Sequence, residues 1–458
     1  MNRRKLVWVG WGLLLLPFVL LTVGLVDWRP ELKSSNELLG AFAVKGRLKV
    51  GSAQLPLVPP GGAPLAGYAS RDDGPADGVL HEPAVRAIVV EVGERRLGLV
   101  SLETLVVPAP LRRKMVEAAA GLMLDDLLVA ATHTHSGPGG FWDSRLAEWL
   151  GAGRYDAGIE AYLVDRTAAA LKTAAGTLRH ANISVGTLDT SRLGANRDEA
   201  EGVVDARLTA VRFTDDGERT FARLILLGIH PTILPDSNRR LSGDWPGSLM
   251  RILEADGGTT LFWQGAGGDT TWGKRGGIMA PAERVELFGA AVATEARGAL
   301  ALAGSGTDNI VLRHGRARLL LPTATDTALA PRILEPLVDN VLHYLAHPGS
   351  TEVSWTELGP VKLAAVPAEP VAAVGLAWRE KLGATAIAGL VDAYVGYVDT
   401  AEHVTNESGE AKRTYFGPTL ADDFLGALET AKGAAAKEVV IEPVAPEEMA
   451  APDEIPVP

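Results

Sequence analysis

The stretch Leu128–Gly140 reads L-V-A-A-T-H-T-H-S-G-P-G-G and changes character at Thr132. The apolar run before Thr132 is typical of a buried strand, because it is short and bounded by turn residues. The Gly/Pro cluster after it predicts a loop. His133 and His135 are therefore expected at or just past a strand end, where the functional groups of an α/β sheet gather. The pair could also be ordinary surface or core histidines, but glycines such as Gly137 let backbone approach a ligand closely.

Two other predicted strands end in residues that can bind a metal. The strand pattern Phe221–Ile229 runs into His230, and the strand pattern Val361–Val366 is followed by P-A-E-P, which holds Glu369 between two prolines. The imidazoles of a zinc site commonly come from separate elements that the fold brings together. A lone core histidine and an exposed loop glutamate remain the alternatives for these two positions.

A glycine-rich loop follows a further predicted strand, Thr259–Trp263. It reads Q-G-A-G-G-D-T-T over residues 264–271 and includes Gly268. Successive glycines at a strand end can open a backbone cavity whose N–H groups bind an oxyanion. The alternative is a flexible connecting loop without a chemical role.

The composition excludes several classes of protein. The chain has 458 residues, of which 47% are hydrophobic and 22% charged, so it can bury a large core. Its net charge of −12 argues against a nucleic-acid partner. It contains no cysteine, so any transition metal must be held by histidine, carboxylate or another oxygen donor.

The N-terminus predicts a membrane anchor. A basic cluster, Arg3-Arg4-Lys5, precedes an almost unbroken apolar run, Leu6–Val26. That length is about the ~20 residues that a helix needs to span a bilayer. We interpret residues 1–29 as an uncleaved transmembrane anchor or, alternatively, a signal segment. The basic cluster should stay in the cytoplasm, so that the rest of the chain lies outside, or is secreted if the segment is cleaved.

The remaining patterns predict one large domain of the α/β class. Strand patterns alternate with amphipathic helix patterns such as Tyr155–Leu178, which indicates a mixed β-sheet flanked by helices behind one N-terminal transmembrane helix. We assign residues 30–44 to a linker and residues 45–438 to this domain. The Pro- and Glu-rich residues 439–458 are expected to form a disordered tail.

Two further acidic residues stand near these elements. Glu103 directly follows the strand pattern Leu97–Leu102, so it could orient a metal ligand or lie near the start of the next helix. Asp244 is placed to cap a helix that extends through Glu254, and it could also hydrogen-bond a metal-bound histidine.

The motifs resemble, in order along the chain, those of the neutral/alkaline (non-lysosomal) ceramidases. T-H-T-H-S-G-P-G-G is the most specific, and it is followed by H-P at 230–231, Q-x-x-x-G-D-x-T at 264–271, P-A-E-P at 367–370 and Y-V-G-Y-V-D-T at 394–400. The resemblance extends from about residue 45 to residue 435. Members of this family are zinc-dependent amidases that cut the N-acyl bond of ceramide.

The resemblance implies a role for ten residues. The implied ligands of Zn²⁺ are His133, His230, Glu369 and Tyr397. The implied catalytic residues are Thr271, which stands at the family's serine position, His135 and Asp269. The implied substrate-binding residues are Arg197, which belongs to an Asn-Arg loop, Gly137 and Gly268.

The implied function is a zinc-dependent amidohydrolase of sphingolipid metabolism that cleaves ceramide or a related N-acyl lipid with metal-activated water. Its expected partners are the lipid substrate and the membrane. Thr271 replaces the family's serine, Asp399 replaces a threonine, and we expect no immunoglobulin-like domain after Lys437. These departures keep two alternatives open: a membrane-tethered, non-catalytic binding protein with the same fold, and a zinc amidase for a different N-acyl substrate.

Overall fold

The computed structural model describes residues 26–71, 73–273, 279–325, 334–437 and 440–441. The predicted anchor lies almost wholly outside the described residues, as does most of the predicted tail. Within the described part of the chain, no helix is both long enough and apolar enough to cross a bilayer.

The described strands are β1 (Ser35–Pro56), β2 (Ala84–Val92), β3 (Arg95–Leu102), β4 (Asp126–Ala131), β5 (Arg179–His180), β6 (Asn182–Asp189), β7 (Gly194–Asn196), β8 (Arg207–Thr214), β9 (Thr220–Leu227), β10 (Thr259–Gln264), β11 (Thr270–Trp272), β12 (Asn309–Leu320), β13 (Ser350–Leu358), β14 (Val361–Ala365), β15 (Glu369–Pro370), β16 (Ala386–Ala388), β17 (Tyr397–Val398) and β18 (Val440–Ile441).

The described α-helices are α1 (Ala109–Ala118), α2 (Arg145–Ala147), α3 (Ala157–Gly176), α4 (Asp244–Glu254), α5 (Pro281–Ala301), α6 (Glu335–Val341), α7 (Ala372–Leu382), α8 (Ala401–Thr405) and α9 (Leu420–Ala435). Helices α2 and α6 each continue into a short wider turn, at Glu148–Ala152 and Leu342–Ala346.

The strands form two main mixed sheets. The larger sheet has the order β16-β14-β13-β12-β1-β2-β3-β4, with β5 and β18 paired to β1, and the smaller sheet has the order β10-β9-β8-β6. Four of the described strand pairs in these sheets are parallel: β3/β4, β9/β10, β14/β16 and β1/β18. Parallel neighbours end at the same edge of a sheet, so the loops that follow β4, β9 and β10 can meet.

The two sheets pack face to face through a shared apolar core. Leu99 of β3 and Val90 of β2 lie in one cluster with Phe213 of β8 and Trp263 of β10. The indole N–H of Trp263 donates to the carbonyl of Val100 across the interface (3.0 Å), so its burial leaves no donor unsatisfied.

Helices cover the outer faces of both sheets. Helix α3 packs on the outer face of the large sheet beside β2, and every residue of β2 is buried because both of its faces are covered. Helix α9 covers the β12–β13 side of the same sheet, while α4 and α5 cover the small sheet. The predicted α/β class with helices flanking the strands is confirmed, but there are two stacked sheets where we expected one.

Gly186 marks the close approach of α5 to the small sheet. A Cβ built on Gly186 would overlap the carbonyl oxygen of Ala299 in α5. We expect Gly186→Ala to lower the free energy of unfolding by about 1–3 kcal/mol, because the helix must move off the sheet. Chemical denaturation measures this loss. The matched variant Gly40→Ala lies in the exposed half of β1 with nothing within 4 Å of the new methyl group and should leave stability nearly unchanged. Equal stability of the two variants would contradict the close packing.

Two predicted boundaries differ from the structure. The linker assigned to residues 30–44 is wrong in its larger part, because β1 begins at Ser35 and pairs with β12 from Ser35 onward. This half of β1 is mostly exposed, so it lacks the apolar alternation by which a strand is predicted. Within the predicted tail, Val440 and Ile441 form a short strand parallel to β1.

Candidate metal centre

His133 follows β4 in a conformation that aims its ring inward. Its φ of 68° lies in the left-handed region, which is uncommon for a residue with a side chain. The backbone N–H donates to the carbonyl of Thr104 (3.0 Å) and holds this conformation. Ring Nδ1 lies 2.8 Å from the carbonyl oxygen of Leu105, so Nδ1 donates to this carbonyl and Nε2 is the nitrogen that faces the cluster.

His230 follows β9 and is oriented in the same way. Its Nδ1 lies 2.8 Å from the carbonyl oxygen of Gly267, which leaves Nε2 unprotonated. The indole N–H of Trp245 donates to the carbonyl of His230 (3.3 Å), and the backbone of His230 bridges that of Thr271. Both rings are therefore oriented by backbone carbonyls, as is common for metal-ligating histidines.

Glu369 and Tyr397 are brought together by strand pairing. They are direct partners in the small parallel ladder between β15 and β17, although they are 28 residues apart in the chain. The β15 segment follows β14 of the large sheet, and both side chains are buried.

The four side chains converge on one point. Nε2 of His133 lies 3.2 Å from Nε2 of His230. Oε2 of Glu369 lies 3.0 Å and 3.1 Å from these two nitrogens. The hydroxyl oxygen of Tyr397 lies 3.2 Å from Nε2 of His230. Three segments that are distant in sequence thus place three potential donor atoms within contact of one another, and a fourth segment adds the Tyr397 oxygen beside His230.

This donor set fits a transition-metal ion. Two imidazole nitrogens whose lone pairs face each other do not attract each other unless a cation or a proton lies between them. Oε2 of Glu369 is buried without a hydrogen-bond partner, which is costly for an anionic oxygen. Atoms that share a zinc ion at about 2.0–2.2 Å lie roughly 3.0–3.6 Å from each other, and nitrogen with oxygen ligands suits zinc.

The ionisation of the cluster is compatible with metal binding. Burial, followed by the charge of Arg197, lowers the pKa of His230 to about 4, so its imidazole is neutral near pH 7. Burial alone would raise the pKa of Glu369, but the neighbouring His133 and His230 hold it well below its usual range. Burial and the charge of Glu369 raise the pKa of Tyr397 well above its usual range, and Arg197 opposes that shift.

His135 lies beside the cluster. Its Nδ1 lies 2.9 Å from the carbonyl oxygen of Gly67, and its Nε2 is buried without a hydrogen-bond partner. One nitrogen from each of His133, His135 and His230 lies within 4.8 Å of the others, which makes this trio a second possible ligand set.

Comparison with known proteins identifies the fold and a family to which part of the chain is similar. Residues 59–261 match the family model described as neutral/alkaline non-lysosomal ceramidase, N-terminal. Over these residues the chain is similar to this family. The matched region holds His133, His135 and His230, whereas Glu369 and Tyr397 lie beyond it.

Individual relatives extend this ceramidase match. Neutral ceramidase A of Dictyostelium discoideum is 28% identical over 152 residues, which cover 30% of this chain and 21% of that relative, so the match spans about a fifth of its length. A ceramidase complexed with C2 superposes with a TM-score of 0.73 at 17% identity, over 87% of this chain and 77% of the other. The neutral ceramidase from Pseudomonas aeruginosa gives 0.72 at 18% identity, over 87% and 76%. At these identities the two structures show the ceramidase fold.

Arg197 contacts Tyr397, one of the four clustered side chains. Its Nη2 donates to the Tyr397 hydroxyl oxygen (3.0 Å), and its Nε donates to Oε1 of Glu410 (2.7 Å). The guanidinium is thus committed to two protein partners, which indicates a positioning role and does not support the predicted direct contact with substrate.

Thr271 lies on the same side of the cluster. Strand β11 pairs with β7, which places Thr271 opposite Ala195, and the backbone of Thr271 bridges that of His230. The side chain is half-buried. The structure therefore brings the threonine hydroxyl into the neighbourhood that the sequence motif predicts.

Three other predicted site residues hydrogen-bond to or pack against the surrounding protein. The carboxylate of Asp269 accepts from the backbone N–H of Ala372 (2.9 Å) and from the side-chain amide of Asn196 (2.8 Å), so it joins three loops and is not directed at the histidines. The N–H of Gly268 donates to the carbonyl of Pro370 (2.9 Å) and is not available to an oxyanion.

Gly137 is also a packing residue. It is buried, and a Cβ there would meet the carbonyl oxygen of Glu103 at 2.5 Å. The absence of a side chain at Gly137 and Gly268 admits neighbouring protein backbone, and their contact with substrate stays a prediction.

Glu103 and Asp244 have protein partners other than the clustered histidines, although Asp244 does begin the predicted helix that ends at Glu254. Glu103 forms a buried ion pair with Arg86. Asp244 is the first residue of α4, and its carboxylate accepts from the N–H groups of Leu234 (3.0 Å) and Trp245 (2.7 Å). Burial raises the pKa of Asp244 to about 6.

Sequence reasoning missed two residues of the site. Tyr394 donates its hydroxyl to Oε1 of Glu369 (2.8 Å) and thereby fixes which carboxylate oxygen faces the histidines. Tyr394 is the first tyrosine of the Y-V-G-Y motif, to which no role was assigned. Glu410, which orients Arg197, lies in a loop without any motif that could have predicted it.

We expect Tyr394→Phe to weaken metal binding by about 10–100-fold without unfolding the chain, because such outer contacts orient the ligand. Competition with a chelator of known affinity measures the change. Tyr162→Phe is the control, since its hydroxyl donates at 3.4 Å to the carbonyl of Pro56, remote from the site. Unchanged metal affinity in Tyr394→Phe would contradict this role.

Proposed function

We propose that this protein is a zinc-dependent amidohydrolase that cleaves the N-acyl amide bond of ceramide or a related N-acyl lipid. The observation that carries the proposal is the convergence of two imidazole nitrogens and one carboxylate oxygen within 3.0–3.2 Å. Similarity of residues 59–261 to the ceramidase family supports the same substrate class.

In this proposal His133, His230, Glu369 and Tyr397 hold the ion. When bound, the ion would activate a water molecule and polarise the acyl carbonyl. Arg197, held by Glu410, keeps the Tyr397 phenol oxygen turned towards the ligand cluster.

The remaining polar groups act on the amide. The hydroxyl of Thr271 donates a hydrogen bond to the acyl oxygen as negative charge develops there. His135, whose Nε2 has no hydrogen-bond partner among the described residues, forms a hydrogen bond with the reacting amide. Asp269 keeps Asn196, the residue before Arg197, in place.

The test uses the purified full chain. Metal content is measured by elemental analysis, and hydrolysis is followed with N-acylsphingosines and a panel of other N-acyl amines. Zinc together with release of fatty acid from N-acylsphingosine supports the proposal. Absence of turnover on every amide in a zinc-loaded preparation would overturn it.

Thr271 provides a sharper test of the chemistry. We expect Thr271→Val, which keeps the side-chain volume, to lower kcat by about 10²–10³-fold because a hydrogen bond to the developing oxyanion is lost. Thr271→Ser keeps the hydroxyl and should retain activity. Steady-state kinetics on one N-acylsphingosine distinguish the two variants. Equal activity of Thr271→Val and the parent would exclude this role.

A second candidate is a zinc amidase of the same mechanism with a different N-acyl substrate. The threonine at position 271 favours it, because its extra methyl group crowds the position beside the acyl group. The departure at Asp399 carries less weight, because its carboxylate already has protein partners. It accepts from the N–H of Glu410 (2.8 Å) and contacts the ring of His403 (2.9 Å). The substrate panel separates the two candidates.

We also propose that residues 1–29 anchor the enzyme in a membrane, with the catalytic domain on the extracytoplasmic side. The apolar run Leu6–Val26 and the basic residues before it support this topology. Such an anchor would place a lipid amidase beside its substrate.

A further inference from the structure

The segment that follows the apolar run is clamped to the domain. The side-chain amide of Asn340 donates to the carbonyl of Val26 (2.8 Å), and its oxygen accepts from the N–H of Trp28 (3.1 Å). The hydroxyl of Tyr344 donates to the carbonyl of Trp28 (2.5 Å), and Arg29 pairs with Asp339 (2.6 Å). The chain therefore has no flexible spacer between Val26 and the folded domain.

The clamp continues towards β1. The N–H of Leu32 donates to the hydroxyl of Thr323 (2.7 Å), and that hydroxyl donates in turn to the carbonyl of Pro30 (2.7 Å). Ser35 then pairs with Leu320 at the start of β1. Two exposed apolar side chains, Leu32 and Leu320, are thus held next to the clamped segment.

An exposed apolar surface surrounds this clamp. Trp28 and Tyr344 are each 58% exposed, and Val341 lies on the same side of its helix as Tyr344, three residues away. We call this surface the N-terminal apolar patch; it consists of Val26, Trp28, Leu32, Leu320, Val341 and Tyr344. Contiguous apolar surface of this kind marks an interaction site more often than isolated exposed residues do.

We propose that the N-terminal apolar patch is the face of the domain that rests in the interfacial zone of a lipid bilayer. Val26 is both the last residue of the apolar run and a member of the patch. If the run spans a bilayer, Val26 lies at the membrane surface, and the clamp places the rest of the patch there with it. Tryptophan and tyrosine, which combine an apolar ring with a polar tip, are the aromatic residues enriched at this depth.

The patch is connected to the candidate metal centre by a short path. Arg29 binds the hydroxyl of Thr325 (3.3 Å), the N–H of Thr325 donates to the carbonyl of Tyr415 (2.7 Å), and the Tyr415 ring packs against Gly396, the residue before Tyr397. If the proposed function holds, this chain of contacts joins the membrane-facing patch to the segment that carries Tyr397, one of the proposed metal ligands. The location of the patch at the bilayer does not depend on that function.

The experiment uses the absence of cysteine, since each introduced cysteine is unique in the full chain. Leu32→Cys, Leu320→Cys and Val341→Cys carry an environment-sensitive fluorophore. The controls are Met123→Cys and Leu302→Cys, at isolated apolar residues that are 74% and 66% exposed. Thermal unfolding checks that each labelled chain is folded, and its mass shows whether the N-terminus is retained.

The labelled chains are reconstituted in phosphatidylcholine vesicles with and without lipid that carries a nitroxide near the headgroup. We expect blue-shifted emission and loss of fluorescence to nitroxide lipid at the three patch positions and neither effect at the two controls. Quenching at the patch no greater than at the controls would overturn the proposal. A blue shift without nitroxide quenching would also overturn the proposal. In that case the patch would be covered by protein, either by residues 6–25 or by a second copy of the chain.

Discussion

Replacement of His133 by alanine is expected to remove bound zinc and N-acyl hydrolysis together. Nε2 of His133 lies 3.0 Å from Oε2 of Glu369 and 3.2 Å from Nε2 of His230, so its loss opens one side of the donor cluster. A tetrahedral zinc site that loses one of its three or four protein ligands keeps too few donors to retain the ion. Elemental analysis of the purified variant and its turnover of N-acylsphingosine measure both effects.

The control for His133→Ala is a histidine outside the site. His180→Ala changes an exposed residue of β5 and should keep both zinc and activity. His135→Ala distinguishes the two possible ligand sets, because loss of zinc in this variant would favour the trio of histidines over the set with Glu369 and Tyr397. Full hydrolysis by zinc-free His133→Ala would remove the proposed mechanism.

Replacement of Arg86 by methionine is expected to lower the free energy of unfolding by about 3–5 kcal/mol, because removing one partner leaves buried charges uncompensated. Arg86 and Glu103 are 2% and 1% exposed, and Arg86 also binds both carboxylate oxygens of Glu254, at 2.7 Å and 3.1 Å. Urea denaturation followed by tryptophan fluorescence measures the loss.

Two further variants test the cause of this loss. The double variant Arg86→Met/Glu103→Gln should be more stable than the sum of the two single changes predicts, since it removes the unpaired charge as well as its partner. Arg95→Ala breaks an exposed pair with Asp125 and should change stability by no more than about 1 kcal/mol. A double variant as unstable as the sum of the single variants would contradict the explanation.

Arg86 also affects the candidate site through Glu103. The side chain of Glu103 fills the space beside Gly243 and Gly247, and the next residue, Thr104, accepts the N–H of His133. We therefore expect the zinc affinity of Arg86→Met to fall along with its stability, whereas Arg95→Ala should bind zinc like the parent.

The elements of the core were predictable because their residues obey a simple period. The strands β3, β9 and β10 and the helix α3 lie within a few residues of the predicted positions. Each is a run of apolar residues with one or two buried faces, so the sequence alone shows where it begins and ends.

The first half of β1 was not predictable for the opposite reason. Residues 35–41 are exposed, and their strand conformation depends on pairing with β12, which lies more than 270 residues away in the chain. When a distant strand determines the conformation of a segment, the residues of that segment show no local sequence pattern from which the strand can be predicted.

The amino-acid sequence by itself determined which residues could hold a cation: histidines at two strand ends, a glutamate between prolines, and no cysteine anywhere. It also determined the apolar run before Val26. The tertiary structure alone decided which of these groups meet, that Tyr394 and Glu410 support them, and that Asp269, Gly137 and Gly268 serve packing. The physical reason is that donor chemistry is a property of single side chains, whereas convergence, burial and hydrogen-bond partners depend on contacts between segments far apart in sequence.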